Sequence, residues 1–167
     1  MRLRCAIIED LRPDAQALER ALLAASAHSC RLQCMLYASG SEFLRRGALS
    51  EQDVIFLDIC MPGLDGIETA RRLRGEDPRI PIVFVTSSEE YVWDALPLHP
   101  FDYLRKPYDD ARVRKLLDDL LAALGRPEPE LELRVARQLI QVPFRRIHYA
   151  LAQNHFVSVC TDEGEHR

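Results

Sequence analysis

Five short apolar runs alternate with five segments of helical periodicity along the first three quarters of the chain. In the run Val54–Asp58, four of the five residues are apolar, which is typical of a parallel strand covered on both faces. Parallel neighbours need crossover connections, which are right-handed and usually helical. The alternation therefore predicts a doubly wound α/β sheet with helices on both faces. The predicted strands are 3–8, 30–37, 54–58, 80–85 and 101–104. The predicted helices are 14–27, 41–46, 67–73, 89–96 and 109–124. Ser41 is the predicted N-cap of the helix over 41–46.

The pattern changes after residue 124. Segment 125–130, GRPEPE, combines two prolines with charges and is typical of a linker. Beyond it, apolar and polar residues alternate in 131–135 and 156–161, which predicts strands, and Asp162-Glu163-Gly164 is typical of a hairpin turn. Only three residues follow, so we expect no return strand and a truncated module. The predicted organisation is a first domain over 1–124, a linker over 125–130 and a partial β-rich module over 131–167.

Charge, cysteine content and hydropathy restrict the function classes. The formal net charge of -4 gives no overall attraction to DNA or to anionic membranes. Five cysteines, an odd number without framework spacing, predict reduced thiols in a cytoplasmic protein. No window approaches the roughly 20 apolar residues of a membrane-spanning helix. We therefore expect neither export nor a membrane partner.

Polar residues stand where four of the predicted strands end. Ligands of open α/β sheets bind beyond the carboxyl ends of the strands. Glu9-Asp10 follows the first strand, Asp58 ends the third, Thr86 follows the fourth and Lys106 follows the fifth. If the first and third strands are neighbours, their three carboxylates repel one another unless a cation is present, and Mg²⁺ prefers such oxygen ligands. A carboxylate held beside a divalent ion and a lysine can act as a nucleophile and form an aspartyl phosphate.

Each of these residues also has a purely structural interpretation. A strand-ending Asp such as Asp58 is often a turn former or helix cap. Glu9-Asp10 is compatible with a solvated strand end, and Thr86 with the start of a loop. Tyr103, in the short fifth strand, is compatible with simple packing. The combination of all of them favours a functional site.

Taken in order, these motifs resemble the receiver domain of bacterial two-component response regulators over about residues 3–124. The resemblance is carried by Glu9-Asp10, by LDICMPGLDG around Asp58, by VTS with Thr86, and by YLRKP with Tyr103 and Lys106. It implies a flavodoxin-like (βα)5 doubly wound parallel sheet with strand order 2-1-3-4-5. It also implies that the chain is a phosphoacceptor signalling protein, and that its only reactions are self-phosphorylation from a donor and autodephosphorylation.

The resemblance assigns the metal site. Asp58 is the implied phosphoacceptor. The implied Mg²⁺ ligands are the carboxylates of Glu9, Asp10 and Asp58 and the backbone carbonyl of Cys60.

The resemblance also assigns the switch. Thr86 is expected to bond the phosphoryl group and Lys106 to pair with it. Tyr103 is the expected aromatic switch residue, turning inward as Thr86 moves. The Lys106-Pro107 peptide bond is expected to be cis.

The C-terminal segment is similar to the beginning of a LytTR-type DNA-binding domain. The shared features are Val142-Pro143, Ile147-His148-Tyr149 and Asn154-His155-Phe156, whereas Leu151 stands where that family usually carries a glutamate. From Arg126 onward, six arginines are balanced by six acidic residues, so counterion release upon DNA binding is small. We therefore expect DNA binding only through a complete output domain, and weak or no binding by this chain.

These resemblances predict a response regulator phosphorylated by a sensor histidine kinase. Phosphorylation is expected to rearrange the face made by the fourth helix, fifth strand and fifth helix, to favour a homodimer and, in the intact protein, to control transcription. One alternative is a receiver-only phosphotransfer or signalling adaptor without DNA output. Another is a magnesium-dependent phosphatase of the haloacid-dehalogenase type, which usually has a second Asp where Cys60 stands here.

Overall fold

The computed structural model describes residues 2–27, 29–88, 90–125, 130–135, 138–143, 147–153, 156–161 and 164–166. The chain divides into two compact units, Met1–Ala123 and Leu124–Arg167, which are described separately. Among the described residues, no helix has the length and apolar character needed to cross a membrane.

A parallel five-stranded sheet forms the centre of the first unit. Its strands lie in the order β2-β1-β3-β4-β5, and every neighbouring pair is parallel. This confirms the predicted fold class. The strands are β1 (Arg2–Ile8), β2 (Arg31–Tyr37), β3 (Val54–Asp58), β4 (Ile82–Thr86) and β5 (Asp102–Arg105). The helices are α1 (Arg12–Ser26), α2 (Gly40–Arg46), α3 (Gly66–Glu76), α4 (Val92–Ala95) and α5 (Asp110–Leu124), with single 3₁₀ turns at Leu49–Glu51 and Leu96–Leu98.

The core lies on both faces of β3, the central strand, and of its neighbour β4. All five residues of β3 and all five of β4 are buried, as expected for parallel strands with helices on either side. The helices α1, α3 and α5 each contribute one apolar stripe to this core, because hydrophobic residues recur at helical spacing along them. Examples are Leu18 and Leu22 of α1, Leu73 of α3, and Leu116 of α5. This buried centre sets the positions at which the strands end.

The predicted cap of α2 was wrong. The side chain of Ser39, not that of Ser41, accepts a hydrogen bond from the backbone N–H of Glu42 at 3.1 Å. The carboxylate of Glu42 accepts in turn from the N–H of Ala38 at 2.9 Å. This arrangement resembles a capping box, and it begins the helix at Gly40, before Ser41 is reached.

The fourth helix is shorter than predicted. It spans Val92–Ala95 and continues as the 3₁₀ turn Leu96–Leu98, whereas the prediction was 89–96. Pro97 has no backbone N–H to continue the helical hydrogen bonds, and His99 then adopts a left-handed conformation with φ of 48°. Residue 89 lies outside the described residues. Other boundaries also moved, by up to three residues: α1 begins at Arg12, α3 continues to Glu76, and β4 begins at Ile82.

The second unit contains antiparallel strands. β6 (Glu130–Val135) pairs with β7 (Gln138–Pro143), and a separate sheet has the order β10-β9-β8. Its strands are β8 (Ile147–Gln153), β9 (Phe156–Thr161) and β10 (Gly164–His166). β6 and β9 correspond to the two predicted strands of this module, whereas β7 and β8 had not been predicted as strands.

The expectation that no return strand follows residue 161 was wrong. β10 pairs with β9 through Gly164 and Thr161, and the Thr161 hydroxyl donates to the Gly164 carbonyl at 3.0 Å. Gly164 therefore belongs to the return strand. Its φ of 124° suits glycine, which has no Cβ to clash. Residues 162 and 163 of the predicted turn, residues 126–129 of the predicted linker, and Asn154 and His155 lie outside the described residues.

Candidate functional site

Three carboxylates meet at the carboxyl ends of β1 and β3. Ile8 of β1 lies opposite Leu57 of β3, so Glu9 follows at the level of Asp58. One carboxylate oxygen each from Glu9, Asp10 and Asp58 lies within 4.8 Å of the other two. Glu9 and Asp58 are both only 5% exposed, whereas Asp10 is partly exposed. The structure thus brings together the three residues that the sequence analysis had grouped.

Lys106 reaches this cluster from the loop after β5. Its ammonium Nζ lies 2.5 Å from Glu9 Oε2 and 3.6 Å from Asp58 Oδ2. The backbone N–H of Lys106 donates to the Thr86 carbonyl at 2.8 Å, which ties the loop to the end of β4. The Lys106-Pro107 peptide bond is cis, as predicted.

Asp14 also belongs to this constellation, and the sequence analysis missed it. Its Oδ2 accepts a hydrogen bond from Lys106 Nζ at 2.9 Å. Asp14 lies in the first turn of α1, four residues after Asp10. The one sequence signal for Asp14 was an acidic residue in the first helical turn after Glu9-Asp10. This signal is equally typical of an ordinary helix start, where acidic residues are favourable.

The pKa values reflect the crowding of charge. Burial raises the pKa of Glu9, the hydrogen bond from Lys106 opposes this change, and the charge of Asp58 raises the pKa further. Burial by itself would lower the pKa of Lys106, but the carboxylates of Glu9, Asp14 and Asp58 outweigh burial and raise it. Lys106 therefore stays charged, while a single lysine leaves the carboxylates incompletely balanced. An additional cation would relieve that imbalance.

The loop after β3 holds Asp58 in place. Asp58 Oδ1 accepts a hydrogen bond from the backbone N–H of Cys60 at 3.3 Å. The Asp65 side chain caps α3 by accepting from the N–H of Glu68 at 2.8 Å. A Cβ on Gly66 would lie 2.1 Å from the Asp58 carbonyl oxygen, so only glycine permits this close return of the chain.

Thr86 and Tyr103 border a pocket beside the acidic cluster. The Thr86 hydroxyl accepts from the N–H of Ser88 at 3.1 Å and lies 3.2 Å from the Ser88 carbonyl. The Tyr103 ring stacks on Phe84 with centroids 5.8 Å apart, and its hydroxyl donates to the Val92 carbonyl at 3.3 Å. The pocket has a volume of about 380 Å³ and is lined by Thr86, Ser88, Val92, Trp93, Tyr103 and Arg105.

The donor set fits a hard divalent cation. Three converging carboxylates supply only oxygen ligands, which is the ligand type that Mg²⁺ takes, usually together with waters and phosphate oxygens. The side chain of Cys60 is exposed, and its predicted contribution is through its backbone carbonyl alone. The metal-ligand roles of all four residues remain predictions.

Comparison with known proteins identifies the family. The model of the family described as the response regulator receiver domain matches residues 6–118. The chain belongs to this family. The response regulatory domain of mrkE from Klebsiella pneumoniae has the same fold, with a TM-score of 0.66 and 29% identity, over 75% of this chain and 100% of that domain. The flavodoxin-like fold and the strand order 2-1-3-4-5 are thereby confirmed.

Two curated relatives extend the comparison. An uncharacterized response regulatory protein of Vibrio cholerae is 44% identical over 77 residues, which are 46% of this chain and 29% of that protein. The transcriptional regulatory protein YpdB of Escherichia coli is 32% identical over 122 residues, which are 65% of this chain and 50% of YpdB. The chain thus spans at most half the length of these relatives. The receiver family makes this a two-component signalling domain.

Proposed function

We propose that Asp58 accepts a phosphoryl group from a sensor histidine kinase and that the first unit is a phosphorylation-controlled switch. The observation that supports this most strongly is the position of Asp58. It ends a wholly buried strand, its carboxylate lies within 4.8 Å of those of Glu9 and Asp10, and Lys106 Nζ is 3.6 Å away. A nucleophile, acidic oxygen ligands and a fixed ammonium group are the parts that phosphoryl transfer to a carboxylate requires.

In the proposed transfer, an Asp58 carboxylate oxygen attacks phosphorus, and the bond from phosphorus to the donor nitrogen of phosphohistidine breaks. Lys106 pairs with the phosphoryl oxygens, for which it has to loosen its contacts with Glu9 and Asp14. Mg²⁺ would be held by Glu9, Asp10, Asp58 and the Cys60 carbonyl. When bound, the ion would neutralise negative charge on the phosphoryl oxygens. The proposed chemistry is limited to this self-phosphorylation and to later hydrolysis of the aspartyl phosphate.

Thr86 and Tyr103 are proposed to transmit the signal. Thr86 would exchange its contact with Ser88 for the phosphoryl group, because a charge-assisted hydrogen bond is the stronger one. Tyr103 would then leave the Val92 carbonyl and turn into the pocket of about 380 Å³ that it borders. This movement alters the face made by α4, β5 and α5, and we propose that a homodimer forms through that face.

The second unit is proposed to be the first part of a LytTR-type DNA-binding domain that links phosphorylation to transcription. Support comes from its antiparallel strands and from the relative YpdB, which is a transcriptional regulatory protein. With six arginines balanced by six acidic residues after residue 125, this chain is expected to bind DNA weakly or not at all. The proposed location is the cytoplasm.

Incubation with acetyl phosphate, a small phosphodonor, tests the proposed function. Intact mass should increase by one phosphoryl group with MgCl₂ and stay unchanged with EDTA. Asp58→Asn should abolish the increase. Asp65→Asn is the matched control, because it makes the same substitution in the same loop, and Asn caps a helix as well as Asp does. Equal phosphorylation of the Asp58→Asn variant, or of the wild type in EDTA, would overturn the assignment.

A further inference from the structure

Two cysteines on neighbouring strands lie in contact, and the first of them, Cys5, precedes Glu9 of the acidic cluster by four residues. Cys5 of β1 and Cys34 of β2 are direct register partners. Their Sγ atoms are 3.1 Å apart, with the thiol of Cys5 donating to the sulfur of Cys34. Neighbouring strands are about 4.8 Å apart, which lies inside the range of about 4.4–6.8 Å that disulfides span between Cα atoms. A covalent bond between them requires an approach of only about 1 Å by the sulfur atoms.

The two thiols differ in access and in acidity. Cys5 is 0% exposed, whereas Cys34 is partly exposed on the edge strand β2. The hydrogen bond from Cys5 lowers the pKa of Cys34, although burial opposes the effect. The same hydrogen bond and burial raise the pKa of Cys5. Because the thiolate is the reactive form, Cys34 is the thiol that meets a soluble oxidant first.

We propose that Cys5 and Cys34 form a reversible dithiol–disulfide pair that small hydroperoxides oxidise. The Cys34 sulfur attacks the terminal oxygen of the hydroperoxide, the O–O bond breaks, and the alcohol or water leaves after taking up a proton. Cys34 is then a sulfenic acid. The Cys5 sulfur attacks the Cys34 sulfur, an S–S bond forms, the S–O bond breaks, and the hydroxyl leaves as water with the proton of Cys5. Two thiols have lost two electrons, and the hydroperoxide has gained them.

The other three cysteines lie outside this pair. Burial raises the pKa of Cys30, which precedes β2 and therefore has no register partner on β1. Cys60 lies in the loop after β3, at the carboxyl edge of the sheet, and Cys160 belongs to the second unit. The proposed disulfide fastens the edge strand to β1, and it does not depend on phosphorylation of Asp58.

Oxidation of the full chain by hydrogen peroxide, followed by N-ethylmaleimide and mass spectrometry, tests the inference. We expect one peptide pair joined through Cys5 and Cys34, a loss of two hydrogen atoms from the intact mass measured before alkylation, and full reversal by dithiothreitol. A variant with Cys30, Cys60 and Cys160 changed to serine should give the same product. Cys5→Ala should leave a Cys34 sulfenic acid that dimedone captures, and Cys34→Ser should leave Cys5 as an unreacted thiol.

Detection of the Cys5–Cys34 disulfide in the wild-type protein is the decisive result, because this measurement requires no substitution of a buried residue. Recovery of Cys5 as a free thiol while Cys34 proceeds to sulfinic acid would overturn the inference. A disulfide from Cys34 to any cysteine other than Cys5 would also overturn it.

Discussion

Asp58→Asn should raise the free energy of unfolding by about 2 kcal/mol when divalent ions are absent. Asp58 is repelled by Glu9 and Asp10, whose oxygens lie within 4.8 Å, and is attracted by Lys106 at 3.6 Å. With an effective dielectric constant of about 20, each repulsion is at least about 3.5 kcal/mol and the attraction about 4.6 kcal/mol. The repulsions exceed the attraction by about 2 kcal/mol. Asparagine keeps an oxygen for the Cys60 N–H, so this hydrogen bond is retained.

Urea unfolding followed by the helical circular dichroism signal measures this change in the first unit, because the helices of the described part of the chain all lie there. The matched control is Asp118→Asn, which makes the same charge change on the exposed surface of α5 and should shift stability by no more than about 0.5 kcal/mol. Mg²⁺ at ten times its dissociation constant should stabilise the wild type by about 1.4 kcal/mol. It should stabilise Asp58→Asn much less.

A loss of stability in Asp58→Asn without Mg²⁺ would refute the claim that repulsion dominates the cluster. Equal stabilisation of both proteins by Mg²⁺ would refute the participation of Asp58 in binding the ion.

Three further predictions concern stability and use urea unfolding. Ser39→Ala should cost about 1 kcal/mol because α2 loses its cap, whereas Ser41→Ala should cost much less; equal losses would contradict the cap assignment. The hydrogen bonds from the Ala38 N–H and from Arg46 lower the pKa of Glu42 from its ordinary value of 4.5. The ionised carboxylate therefore stabilises the fold above pH 4.5, and this stabilisation is lost as the pH falls through the folded-state pKa. Glu42→Gln should therefore flatten the acid side of the stability curve, and a curve parallel to that of the wild type would disprove this. Gln52 is 6% exposed, and neither polar atom of its side chain has a hydrogen-bond partner among the described residues. Gln52→Met should stabilise by about 1 kcal/mol, and destabilisation would show that the amide is paired.

The sequence predicted the sheet and the acidic cluster because both depend on short-range patterns. A buried run such as Val54–Asp58 is recognisable by itself, and the alternation with helices sets its neighbours. Once β1 lies beside β3, Glu9, Asp10 and Asp58 have to meet at one edge.

Features that depend on detailed geometry or distant pairing were missed. Ser39 and Ser41 are equally good caps by composition, and only the backbone geometry distinguishes them. The ion pair between Asp14 and Lys106 joins residues 92 positions apart. Likewise, the contact of Cys5 with Cys34 depends on the register of β1 against β2. Hydrophobic periodicity alone does not determine this register.

The most direct test of the central claim is chemical location of the phosphoryl group. After treatment with acetyl phosphate and Mg²⁺, borohydride reduces an aspartyl phosphate to homoserine, which tandem mass spectrometry locates in the sequence. We expect homoserine at position 58 and at no other aspartate. Homoserine at another aspartate, with residue 58 still an unmodified aspartate, would show that Asp58 is not the phosphoacceptor.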